Sequence, residues 1–198
     1  MENDEALLSR FEATSRAQSR YLYLLAVALV LFLVIDSNVQ KDLGNADRSI
    51  NVPGMGIDLE TRVLWQASPT VIGVLIMAIL GALQAATSAW EAIRTRPALK
   101  DAVWEHMDTA PNLIDFAVFT TRKTPRVARC LALLAYPAFL TIAWLESLRI
   151  AQRVARNPQV ALHSGLVIAS FTLVSIPVVW RLLLLWTKKL KAIRDLWC

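Results

Sequence analysis

PTVIGVLIMAILGALQAATSA, residues 69–89, holds no charged side chain. A helix rises about 1.5 Å per residue, so a stretch of roughly 20 apolar residues crosses a hydrocarbon core about 30 Å thick. In lipid every backbone N–H and C=O needs a partner within the chain, which leaves a helix as the form such a run takes. Three further apolar runs, residues 21–35, 130–145 and 164–186, extend the same reading. The expected fold is an all-α integral membrane protein with four transmembrane helices, at about residues 21–36, 69–90, 128–148 and 164–186.

The chain has 198 residues, 56% of them hydrophobic. That is room for four spans and their connections but not for a separate soluble domain. The formal charge of +5 raises nucleic acid as a partner. Against it, the basic excess lies beside the apolar runs, where it sets orientation. Cys130 and Cys198 have neither the partners nor the spacing of a disulfide framework or a zinc site. No small-residue cleavage pattern follows the first run, which therefore reads as an uncleaved span.

Residues 1–20 read as a cytoplasmic amphipathic segment, either a short surface helix or the inner extension of the first span. Ser9 and Glu12 fit a capping box, Glu12 and Arg16 are at ion-pair spacing, and Leu7, Leu8 and Phe11 give an apolar side. After Asp36, Ile50 and Val52 alternate on one side of Pro53-Gly54-Met55-Gly56, and Ile57 and Leu59 on the other. Period-two apolar residues around a Pro/Gly turn predict a small extracytoplasmic β-hairpin. Ser68-Pro69 then reads as an N-cap with proline at the first helical position.

In the second span Ala78, Ala82 and Ala86 recur every four residues, with Gly81 and Ala85 on the adjacent row. Small residues let helix backbones approach closely in lipid, so these five are the candidate packing face for self-association into a homo-oligomer. Gln84, Thr87 and Ser88 form a weakly polar stripe that could line a pore or a polar contact. The connection 91–127 is punctuated by Pro97, Pro111 and Pro125. Pro137 and Pro177 fall inside the third and fourth spans, where proline removes a ladder bond and usually kinks a helix.

Of the 21 Lys and Arg, fourteen lie in the amino end, the middle connection and the tail, six in the other two connections, and Arg181 inside the fourth run. Lys and Arg are retained on the cytoplasmic side, so both termini are expected in the cytoplasm of a bacterial inner membrane. Arg181 lies close enough to the Trp186-Thr187-Lys188 boundary for its head group to reach the interface. Glu146 and Arg149 are spaced as an ordinary surface ion pair. His106 and His163 are predicted on opposite sides of the membrane, which argues against a metal site. Gly54-Met55-Gly56 lacks the third glycine, helix and lysine of a phosphate loop. No nucleophile elbow or paired carboxylate appears, so the chain reads as non-enzymatic and without a cofactor.

The tail, residues 187–198, is a basic helical extension. Arg122, Lys123, Arg126, Lys188, Lys189, Lys191, Arg194 and Trp197 together form a candidate cytoplasmic face for membrane lipid or a protein partner.

Residues 51–59, NVPGMGIDL, followed by Ser68-Pro69 and a second span, resemble a segment of uncharacterised bacterial four-span inner-membrane proteins. The compact layout with short cytoplasmic ends is similar to membrane subunits of bacterial antiviral operons such as the Kiwa system. The resemblance implies a membrane subunit serving antiviral defence. The residues favour an anchor or sensor that self-associates and offers a basic face to a cytoplasmic protein. Two further readings stand beside it: a homo-oligomeric pore or membrane-disrupting effector, and an accessory subunit of a larger membrane complex.

Overall fold

Buried positions along all four apolar helices recur at alternating steps of three and four residues. In a helix of 3.6 residues per turn this keeps one narrow stripe facing inward. The computed structural model describes residues 2–41, 49–52, 57–93, 95–96, 126–156 and 161–197. Helix α1 is Glu2–Lys41, α2 is Thr61–Ile93, α3 is Arg126–Arg156 and α4 is Ala161–Trp197. Each contains a stretch long and apolar enough to cross a membrane, which makes this a multi-pass membrane protein by length and composition. Between α1 and α2, strands β1 (Ser49–Val52) and β2 (Ile57–Glu60) pair antiparallel, with Ile50 opposite Leu59 and Val52 opposite Ile57. The turn expected at residues 53–56 and most of the 91–127 connection, including His106, Arg122 and Lys123, lie outside the described residues.

Of the two readings of residues 1–20, the one that holds is an extension of the first span: α1 runs unbroken from Glu2, so the expected capping box at Ser9 falls inside a helix. The Glu12–Arg16 ion pair forms at 3.1 Å. Helix α2 begins at Thr61 rather than at Pro69, which lies in its interior. Proline has no N–H to give the carbonyl four residues back. Here that carbonyl belongs to Trp65, and the Ser68 hydroxyl donates to it at 2.8 Å. The residue expected to start the helix instead repairs the bond its neighbour removes.

The chain divides into two compact units. One comprises Met1–Tyr23, Met77–Thr141 and Trp180–Cys198, the other Leu24–Ile76 and Ile142–Val179. The first gathers the amino ends of α1 and α3 with the carboxyl ends of α2 and α4. It holds an apolar cluster: Phe11, Ala89 and Ile93 are buried, and Leu7, Leu8 and Trp90 pack against them. The Phe11 and Trp90 rings lie 6.3 Å apart at 40°. Arg96, just past α2, pairs with Asp4. Further along, the Gln18 amide donates to the Tyr136 hydroxyl, and Trp186 Nε1 donates at 3.0 Å to Thr141 Oγ1, which donates in turn to the Pro137 carbonyl at 2.7 Å.

The second unit is built from the other ends. Ile72 and Ile76 of α2 are fully buried, as are Ile150 and Val154 of α3. At Gly73 α4 crowds α2, since a Cβ there would sit 2.8 Å from Val174 Cγ1 of α4. Beside it Thr70 and Ser170 share a hydroxyl hydrogen bond of 3.1 Å. Within lipid, helix association draws on packing and on such bonds rather than on expulsion of water, and each interhelical bond contributes about 0.6 kcal/mol on average.

Candidate functional site

The buried stripe of α4 passes through Phe171, Val178, Leu182, Leu185 and Lys189. That register sorts the basic tail. Lys189 occupies a stripe position and is only 8% exposed, whereas Lys188, Lys191 and Arg194 fall off the stripe and are exposed. The expectation of a single basic face therefore needs correction at Lys189, whose stem turns inward. Arg126 begins α3 and Trp197 ends α4, with their side chains outside the described set. Arg181 is half-buried, and its Nη1 lies 3.9 Å from where a Cβ on Gly81 would stand, an ordinary contact distance.

Of the small residues on α2, Ala86 is fully buried, while Ala78, Gly81, Ala82 and Ala85 are half-buried. The α2 stripe runs instead through Ile72, Ile76, Ile79, Leu83, Ala86 and Ile93. Gln84 is exposed, and both neighbouring hydroxyls turn back onto their own helix: Thr87 donates to the Leu83 carbonyl at 2.8 Å and Ser88 to the Gln84 carbonyl at 3.0 Å. Glu146 and Arg149 pair at 2.8 Å, as their spacing predicts.

Two polar groupings went unread in the sequence. In the first unit Gln18 is wholly buried on the α1 stripe, and its Oε1 has no hydrogen-bond partner. In the second, Asp36 joins three helices: Trp65 Nε1 of α2 donates to its Oδ1 at 3.0 Å, and Arg153 of α3 pairs with its Oδ2. The Asp36 side chain is 4% exposed and that of Arg153 40%. A signal for both was present. Phe11, Ser15, Gln18, Leu25, Phe32, Asp36 and Val39 all fall on one three-and-four register, and all are buried. Treating Asp36 as the end of an apolar run hid its place on that stripe.

Chemically this is an inventory for holding helices and meeting charge. Among the described residues no group of three His, Cys, Asp or Glu side chains could hold a metal ion. Cys130 is a half-buried free thiol. No known protein family, curated protein or solved structure matches the chain.

Proposed function

We propose that the chain is a non-enzymatic anchor of a bacterial inner membrane, with both termini cytoplasmic and the β1–β2 pair outside, which self-associates and offers a basic face to a cytoplasmic protein. The observation that carries this reading is the trio Lys188, Lys191 and Arg194, exposed at the end of α4. They belong to the unit that also holds the amino ends of α1 and α3. Fourteen of the chain's Lys and Arg lie in the segments assigned to that side. The half-buried small face of α2, Ala78, Ala82 and Ala85, supports self-association.

The test is expression of the tagged full chain, with membrane potential and co-purifying proteins measured together. An anchor leaves the potential intact and captures a soluble protein, and the Lys188→Gln/Lys191→Gln/Arg194→Gln variant inserts normally but loses that capture. Collapse of the potential on expression alone would favour the pore reading. Co-purification with other membrane chains only would favour an accessory subunit.

A further inference from the structure

Six exposed residues at the carboxyl end of α4 share one side of the helix, with exposed Leu183 and Leu190 along its edge. At 100° per residue, Trp180, Leu184, Thr187, Lys188, Lys191 and Arg194 fall within an arc of about 120°, and all six are exposed. Lys189, Leu185 and Leu182 occupy the opposite arc and are buried. The outer arc is graded along its length. Trp180 is 64% exposed and Leu184 45%, and the cations begin one turn further on. With a rise of 1.5 Å per residue, Lys188 and Lys191 stand about 12 and 16 Å along the axis from Trp180. Of the apolar windows in the four helices, that of α4 is 17% buried and the others 39%, so α4 turns the largest share of its surface outward.

From this juxtaposition we infer that the outer face of α4 binds an anionic phospholipid lengthwise, with its phosphate at Lys188 and Lys191 and its acyl chains along Leu184 and Trp180. The inference rests on the reading that this end of α4 is the chain's basic working face, and it names lipid as an occupant. A soluble anion would meet the two lysines but leave the adjoining indole and leucine uncovered. A zwitterionic lipid would cover the apolar part and bring no net charge. An amphiphile with a net negative head satisfies both ends of the arc at once. The structure also says which lysine takes no part: Lys189 lies between the two in sequence and on the far side in space.

The full-length protein in phosphatidylcholine vesicles tests this, with lipids brominated on their acyl chains as contact quenchers of Trp180. The Trp180→Phe variant, measured in parallel, isolates that indole's share of the emission. Brominated phosphatidylglycerol should quench it at a lower membrane fraction than brominated phosphatidylcholine. At low ionic strength the preference should be about fivefold per cation, the equivalent of ~1 kcal/mol each. It should shrink as salt is added, because exposed charges are screened. Lys188→Gln/Lys191→Gln should abolish the preference and Lys189→Met should retain it, with helicity and oligomer size confirming that each variant folds. Equal quenching by the two lipids in the wild-type protein overturns the inference, as does an undiminished preference in Lys188→Gln/Lys191→Gln. Abolition of the preference by inorganic phosphate, at an ionic strength where chloride leaves it measurable, would overturn it in favour of a soluble-anion site. If the preference is absent while capture of a soluble protein still depends on the same lysines, the lipid inference fails and the anchor reading stands. A lipid preference without capture of any protein upholds lipid as the occupant and removes the anchor reading.

Discussion

Asp36 is the residue on which the second unit turns. Its carboxylate is buried, meets an indole N–H from α2 and a guanidinium from α3, and so ties three helices through one side chain. Its partner differs in one respect that decides the energetics: the Arg153 side chain is 40% exposed and can be solvated alone, whereas that of Asp36, at 4%, cannot. Removing the cation therefore leaves a buried carboxylate without its guanidinium, while removing the acid leaves an arginine that water can reach. Arg153→Met should cost about 1–3 kcal/mol of stability, less than for a fully buried pair because Arg153 is half open. Asp36→Asn should cost less, since its amide oxygen still accepts from Trp65. The double variant should recover part of the Arg153→Met loss. A double-mutant cycle on unfolding in detergent micelles measures this, and additive losses would mean that the pair is not coupled in the way its geometry requires.

Among elements, α2 shows how a helix absorbs a proline. The Ser68 hydroxyl occupies the place of the N–H that Pro69 lacks, and Ser68 is wholly buried. Ser68→Ala should leave the Trp65 carbonyl without that donor, at a cost of about 1–3 kcal/mol. Ser68→Thr, which keeps the hydroxyl, should cost less; the thermal midpoints of the two purified variants check the order. The same helix explains what the sequence disclosed and what it withheld. Four apolar lengths were legible because a bilayer demands them, and the Glu146–Arg149 pair because it depends on local spacing alone. The start of α2 was misread because serine before proline is the usual opening of a helix, and only the position of the Trp65 carbonyl reveals the other use. The alanines at 78, 82 and 86 drew attention to a four-residue repeat, while the buried positions follow a mixed one that includes Ala86, and α4 crowds the helix at Gly73. Which residue meets Val174 is set by a neighbouring helix and cannot be read from α2 alone. The split of the basic tail was legible in principle, because Lys189 lies four residues beyond Leu185 and seven beyond Leu182.

For the whole molecule, alternating helix ends are gathered within each unit. The resulting prediction is vectorial. A cysteine introduced at Asn45 should react with an impermeant thiol reagent in intact cells, and one at Thr109 only after the membrane is opened, since the Lys and Arg excess favours the cytoplasm on the Thr109 side. The opposite labelling pattern would invert the orientation, and with it the side on which Lys188 and Lys191 meet their partner.

The tie between Asp36 and Arg153 also has a history in time, because its two halves are synthesised 117 residues apart. At 5–20 residues per second, a ribosome needs on the order of 10 s to travel from the acid to its cation. Throughout that interval α1 is complete, yet its inward-facing carboxylate still awaits Arg153. Trp65 of α2 can reach it first, but the guanidinium comes only with α3, so α1 is not fully paired until a helix made much later has entered beside it.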